Sequence, residues 1–320
     1  MNAKVSIIVP IFNVEQYIAQ CAHSLFKQTY QNIEFIFVDD ASPDNSIAIL
    51  EKVMEEYGNR KEQVILIRRE KNEGSSLARK AGFEKCSGNY IIYVDSDDWI
   101  ELNMIEKMVD KAVSEDFDIV WCDYFENEKY IKACPETNDK IEIFRGFFNF
   151  DLHSSLWNKL VKRKVYSNNI YFPKAAQNED FVISIQNLFY AEKIGFLNEA
   201  FYHYNINSNS LSFNRLRLAQ RAKESYENFT WIVKFLENKF NDLEYFEPHL
   251  SFRINHVKMK IMEAKETRDI KKLYELYPKS LEHLFTKCKK MTIFVQAIML
   301  FLAKRNILFP YKLLDWCRKK

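Results

Sequence analysis

The chain has 320 residues, 47% hydrophobic and 28% charged, which is enough apolar content for one large domain with a buried core plus a smaller appendage. Lys and Arg total 46 against 44 Asp and Glu, a balance that excludes a general nucleic-acid binder, since such a domain carries a basic excess. The six cysteines, Cys21, Cys86, Cys122, Cys134, Cys288 and Cys317, form no Cys-x-x-Cys pair, so neither a zinc site nor a disulfide framework is indicated and a reducing compartment is expected. An apolar run begins at Val5 with no charged n-region and no apolar h-region before it, so the expected location is the cytoplasm.

From Val5 to Cys122 short β-branched runs alternate with amphipathic stretches: Val5 to Pro10, Ile33 to Val38, Val64 to Ile67, Ile91 to Val94 and Asp118 to Cys122. The intervening segments have the length of crossover helices, roughly ten to fifteen residues. Nearly continuous apolar strands of this kind are buried on both faces, which predicts an α/β, doubly wound, mainly parallel sheet with helices on both sides. Ligands of such sheets bind beyond the carboxyl ends of the strands.

Those ends carry the polar residues. The first runs Pro10-Ile-Phe-Asn13 into a helix expected near Glu15, and the second delivers Asp39 and Asp40, with Asp44 or Asn45 suited to cap the next helix. After the third comes Asn72-Glu-Gly74-Ser-Ser-Leu-Ala-Arg79, a glycine turn opening a helix whose first turn has free N–H groups. Arg79 could face an anion there, or simply be a solvated helix residue. The fourth strand, Tyr90 to Val94, runs straight into Asp95, Asp97 and Asp98. Clustered carboxylates at the end of a buried strand call for a cation, and hard oxygen ligands suit Mg2+ or Mn2+ with positions left open for substrate phosphate. The alternative is structural: Asp97 or Asp98 caps a helix over Ile100 to Ala112.

Further on, Phe117 to Cys134 reads as a strand and hairpin, Phe144 to Phe150 is aromatic, and Leu156-Trp157-Asn158-Lys159-Leu160 precedes a basic run. Trp157 and the phenylalanines read first as core packing, with sugar stacking as the functional alternative. Asn178 to Tyr190 is a predicted helix with Asn178 as its cap and Glu179 and Asp180 in the first turn, where the dipole is expected to lower a carboxylate's pKa and keep Asp180 ionised. Phe201 to Tyr204 alternates like a strand and carries His203, by itself a structural histidine more often than a ligand. A second, helical region is expected at 213–320. Within it Met291 to Ala303 is apolar but too short to span a bilayer, and its basic flanks fit a helix lying on an anionic membrane surface, or one buried in a C-terminal bundle or against the partner of a homodimer.

Five stretches in order, Val5 to Asn13, Val38 to Ser42, Asn72 to Arg79, Asp95 to Asp98 and Asn178 to Asp180, resemble the family 2 glycosyltransferases, nucleotide-sugar enzymes with a GT-A fold. The resemblance implies a catalytic domain over 1–212 that moves a sugar from a UDP-sugar to a hydroxyl of a glycan or lipid-linked glycan with inversion. It implies donor contacts from Pro10, Phe12, Asn13, Asp39, Asp40 (facing uracil), Asn72, Gly74, Arg79, Asp95 and Ser96. It further implies Mn2+ or Mg2+ on Asp95, Asp97 and His203, a base at Asp180 beside Glu179, an acceptor pocket near Trp157 and a phosphate contact from Ser210. A bacterial surface glycan made at the cytoplasmic face of the inner membrane is the matching setting. Rival readings are an Asp95/Asp97 phosphatase or phosphotransferase, against which the order of the acidic pairs argues, and an inactive sugar-nucleotide-binding scaffold, against which the intact Glu179-Asp180 pair argues. The lack of Gly-x-Gly-x-x-Gly after the first strand argues still more strongly against a dinucleotide oxidoreductase.

Overall fold

A computed structural model describes residues 3–167, 169–206, 218–240, 250 and 253. Its elements follow the chain as β1 (Val5–Ile11), α1 (Ile18–Phe26), β2 (Ile33–Asp39), α2 (Ser46–Glu56), β3 (Val64–Arg68), α3 (Ser75–Lys85) and β4 (Tyr90–Tyr93). Then come β5 (Trp99–Ile100), α4 (Met104–Ser114), β6 (Ile119–Glu126), β7 (Lys129–Ile131), α5 (Lys140–Asn149), β8 (Lys159–Lys162), α6 (Arg163–Tyr166), α7 (Glu179–Tyr190), β9 (Ile194–Tyr204) and α8 (Leu218–Lys239). The chain divides into two compact units, 1–140 with 152–213, and 141–151 with 214–320.

In the first unit the strand order is β3-β2-β1-β4-β8-β6-β9-β5, with β7 on the edge of β6. β1 pairs in parallel with β2 on one side and β4 on the other, so the strand order reverses at β1 and opens a crevice at the carboxyl ends of β1, β2 and β4. Beyond β4 the sheet is mixed: β8 runs antiparallel to both β4 and β6, and β5 antiparallel to β9. This half departs from the mainly parallel expectation, because β8 is four residues with a lysine at each end and carries no apolar run that a sequence pattern could register.

Strand alternation explains the two covered faces. Val5, Ile7, Val9 and Ile11 of β1 and Ile33, Phe35 and Phe37 of β2 join α1, α2 and α4 in one apolar core. Ile8, Ile36 and Val38 point the other way, against α3, where a Cβ on Gly82 would lie 2.4 Å from Ile8 Cγ2. Only glycine lets α3 approach this closely. The first helix begins at Ile18, after a turn through Glu15, and α4 begins at Met104 after Asn103, so Asp97 and Asp98 do not cap it. Asp44 accepts from the Ser46 N–H and the Glu15 N–H, acting as the cap in place of Asn45, whose side chain makes no cap bond.

The opposite end of the sheet is stapled by a buried carboxylate. Glu34 accepts from Ser6 Oγ (2.6 Å), Ser87 Oγ (2.7 Å) and the Ser87 and Gly88 N–H groups, and pairs with Lys4. Burial opposes its charge, but the Lys4, Ser6 and Ser87 hydrogen bonds outweigh it and pull its pKa from 4.5 down to about 2. In the second unit Phe144 of α5 lies edge-on to Phe240, the residue after α8 (5.8 Å), and the Arg253 guanidinium lies 3.4 Å from the ring centre of Phe150, the residue after α5. Among the described residues no helix is long and apolar enough to cross a membrane; 291–303 lies outside them.

Because the Glu34 pKa is depressed by folding, its contribution is complete above the ordinary carboxylate range and is lost as pH falls from 4.5 towards 2. Glu34→Gln should cost about 2 kcal/mol in urea unfolding at pH 7, and the gap to wild type should close over that acid window.

Candidate active site

The crevice at the sheet's switch point is built from loops that hold one another. Asp39 accepts from the Ser42 N–H (2.8 Å), and Ser42 Oγ accepts from the Asn13 N–H (2.8 Å), tying the β1 and β2 ends together. Asn13, Ala41 and, at the start of α7, Asn178 have left-handed backbones, with φ of 56°, 56° and 67°. Such conformations cost an alanine about 1 kcal/mol or more and persist only where surrounding bonds dictate them. Phe12 is exposed beside this turn, while Pro10 is half-buried within β1.

Asp40 was expected to face a base. Instead both its oxygens are committed: they accept from the Gly74 N–H (2.8 Å), the Glu73 N–H (3.2 Å) and the Arg69 guanidinium. Asn72 Oδ1 adds a second acceptor for the Gly74 N–H (3.0 Å), and Gly74 has φ 93°, which demands glycine. The β2 carboxylate therefore fixes the loop that launches α3.

Arg79, one turn into α3 and 3% exposed, is the hub of the site. Its Nη2 donates to Asp95 (2.8 Å), and its Nη1 donates to Asp180 (3.0 Å) and Glu179 (3.3 Å). Ser75 Oγ also donates to Glu179 (2.8 Å), and the guanidinium lies 5.9 Å from the Tyr93 ring centre. The anion at the start of α3 is thus a side chain of α7. Burial works against the Arg79 charge, but Asp180, Asp95 and Glu179 together raise its pKa well above the usual value, so it stays a cation.

The three aspartates after β4 have separate environments. Asp98 is buried, accepting from Tyr202 OH (2.6 Å) and the Asn205 N–H (2.8 Å). Burial, then the nearby Asp95 and Asp97, push its pKa up to about 9, and both its oxygens are already taken as acceptors. The Asp95 N–H donates to the same Tyr202 oxygen (3.1 Å), and Ser96 is buried between them in sequence. Asp95 and Asp97 alone of the three reach solvent, Asp95 with 27% of its side chain exposed. No cluster of three His, Cys, Asp or Glu able to hold a metal occurs among the described residues. Two carboxylates still fit Mg2+ or Mn2+, which are commonly held by one or two carboxylates together with substrate phosphate.

Asp180 behaves contrary to the helix-dipole expectation. Burial raises its pKa, Arg79 lowers it, and Glu179 and Asp95 raise it again, leaving it at about 7 instead of below the ordinary 3.8. The dipole effect of one helix end, about 0.3–1 kcal/mol, is outweighed by desolvation beside other carboxylates. The Asn178 side chain does not cap α7 either.

Trp157 is core, as its first reading has it: it is 3% exposed and stacked on Tyr202 (4.2 Å, 15°), and the sugar-stacking alternative falls away. One further expectation is corrected. His203 is turned away from Asp95 and Asp97. It neighbours Tyr202 on β9, so their side chains take opposite faces, and its Nε2 lies 2.7 Å from Glu101 Oε1. Ser210 lies outside the described residues. Unforeseen was Lys159, buried 3.8 Å above the Trp121 ring centre and donating to Asn158 Oδ1 (2.8 Å) and to the Ser155 and His153 carbonyls. Burial lowers its pKa to about 7. Tyr202 was also missed as a partner of the carboxylate turn, although strand alternation over Phe201 to Tyr204 put it on one face and His203 on the other.

A family model described as Glycosyl transferase family 2 matches residues 6–177. Glycosyltransferase GlyA of Streptococcus pneumoniae is 33% identical over 228 residues, 66% of this chain and 32% of GlyA, so the chain spans about a third of that relative's length. Glycosyltransferase GlyG of the same organism is 30% identical over 226 residues, 66% of this chain and 73% of GlyG. Among solved structures, S. aureus TarS 1–349 in complex with UDP-GlcNAc aligns with a TM-score of 0.70 at 20% identity, covering 99% of this chain and 91% of TarS 1–349, a likeness of fold.

Replacing the hub should strand three carboxylates. Arg79→Met should lose about 3–5 kcal/mol in urea unfolding at pH 7, and the loss should shrink towards about pH 5 as the carboxylates take up protons. A loss independent of pH would mean that Arg79 contributes packing alone.

Proposed function

Because this chain belongs to the family 2 glycosyl transferases and has their GT-A fold, we propose that it transfers a hexose or N-acetylhexosamine from a UDP-sugar to a hydroxyl of a glycan or lipid-linked glycan, with inversion. The observation that carries the reading is the sharing of one guanidinium: Arg79 holds Asp95 with Nη2 and Asp180 with Nη1. A carboxylate suited to the donor's ion and a carboxylate suited to deprotonate an acceptor thus stand on two sides of one planar group. A UDP donor is supported by the relation in fold to TarS, which was captured with UDP-GlcNAc.

On this reading Asp95 and Asp97 are the residues that would hold Mn2+ or Mg2+. Such an ion, when bound, neutralises charge that develops on the leaving nucleotide. Asp40 serves the nucleotide through the 72–74 loop that it fixes, together with Asp39 and the Asn13 turn. The acceptor oxygen attacks the anomeric carbon from the face opposite the nucleotide. As the new carbon–oxygen bond forms and the bond to the diphosphate breaks, Asp180 takes the hydroxyl proton, and one displacement inverts the centre. A base with a pKa near 7 is well matched to this task, because it is ionised in half or more of the molecules at neutral pH and still holds the proton it receives. Glu179, fastened to Ser75 and Arg79, keeps the start of α7 against α3. A surface-glycan acceptor and contact with the inner face of the membrane through 213–320 complete the proposal.

The test is calorimetric titration of UDP with and without Mn2+, followed by turnover of UDP-sugars. Binding should require the metal, fail after chelation and be lost in Asp97→Ala. Asp180→Ala should lower turnover by about 10²- to 10⁴-fold while leaving UDP affinity within about threefold of wild type. Equal loss of both would remove Asp180 as the base. Since the base acts in its ionised form, kcat/KM should fall as pH drops below about 7 and level off above it; a rate independent of pH across that range would contradict the assignment.

A further inference from the structure

The turn that carries Asp95 and Asp97 is followed at once by β5, a strand of only two residues. So short a strand has too few ladder bonds to fix itself, and its partner is β9, with Trp99 opposite His203 and Ile100 opposite Tyr202. On one face of β9, Tyr202 grips the turn by hydrogen bonds to Asp98 and from the Asp95 N–H. On the other face the His203 ring lies flat on Trp99, with centroids 3.3 Å apart and planes 11° apart. Phe125 of β6 covers its second side at 4.7 Å and 23°. Nε2–H donates to Glu101 (2.7 Å), just past the end of β5, while buried Nδ1 has no hydrogen-bond partner and lies 3.9 Å from the Glu128 carboxylate. Neither ring nitrogen is directed to the carboxylate turn.

We infer that His203 is a positioning residue: its ring, held between Trp99 and Phe125 and tied to Glu101, clamps β5 onto β9 and so sets where Asp95 and Asp97 stand, without itself binding the ion. The inference rests on the reading of those two aspartates as the cation's carboxylates. It explains why a histidine this close in sequence to the site's Tyr202 and Asn205 is buried among rings: a flat ring fills the slot, and its one N–H reaches the carboxylate that follows β5.

Three variants separate a clamp from a ligand. His203→Phe keeps a flat ring and removes both nitrogens, His203→Ala removes everything, and Trp99→Ala removes the stack and leaves the imidazole. Two measurements apply to each: Mn2+ titrated in the presence of UDP and followed by the spin resonance of free Mn2+, and amide hydrogen exchange over 94–101 in metal-free protein. The clamp requires His203→Phe, which keeps the ring stack and gives up only the bond to Glu101, to lose much less than His203→Ala in both. It requires His203→Ala and Trp99→Ala to weaken Mn2+ by about 10- to 100-fold, the usual effect of losing a group that orients a ligand. Both should also speed exchange over 94–101 by about tenfold or more, as local opening becomes easier. Loss of Mn2+ in His203→Phe as severe as in His203→Ala, with Trp99→Ala intact, would make His203 a ligand and overturn the inference. Unchanged exchange in His203→Ala and Trp99→Ala would overturn it too. Should wild type bind no Mn2+ with UDP, the functional reading fails, and the exchange measurement still decides the clamp.

Discussion

One buried guanidinium orders the site. Asp95, Glu179 and Asp180 come from two stretches more than eighty residues apart, and without a cation between them their charges would drive β4 and α7 apart. Arg79 suits the place because its planar fork offers several N–H groups in fixed directions, so one side chain can take carboxylates on two sides. A lysine would bring the charge without the geometry. Three anions around one cation still leave an excess of negative charge, and with burial this pushes the Asp180 pKa upward, towards the point of taking up a proton.

Everything behind Arg79 serves to deliver it. Gly82 lets α3 lie against Ile8, Ile36 and Val38, Gly74 turns the chain into the helix, and Asp40 holds the Glu73 and Gly74 amides. A residue placed by sequence at the nucleotide therefore acts first on the backbone of the neighbouring loop. β9 does the same for the other side of the site. It donates Tyr202 to the carboxylate turn from one face and packs His203 on Trp99 from the other, so a strand late in the chain determines the shape of a turn more than a hundred residues earlier.

Much of this was legible in advance. The parallel half of the sheet announced itself in β-branched runs, and the carboxylates of β2 and β4 stood at strand ends where a doubly wound sheet collects its ligands. The resemblance drawn from ordered stretches agrees with the family match over 6–177, which reaches the first four of the five and ends just before Asn178. What escaped were features without a local signature. β8 is too short and too basic to read as a strand, and Lys159 is a lysine with no local mark of its burial.

The amino-acid order by itself determined which residues could ionise, which runs would be buried, and where along the chain charge would gather, because these follow from side-chain chemistry and from the periods of strand and helix. Tertiary structure alone decided what each charge met. A helix N-terminus predicts a low pKa for Asp180, yet burial beside Glu179 and Asp95 raises it, since desolvation and like charge depend on neighbours brought from elsewhere in the chain. A histidine two residues before Asn205 could face the carboxylates or turn from them, and the pairing of β9 with β5 turned it to the face of Trp99. Sequence distance says little about either outcome, because the sheet brings together strands that the chain makes far apart.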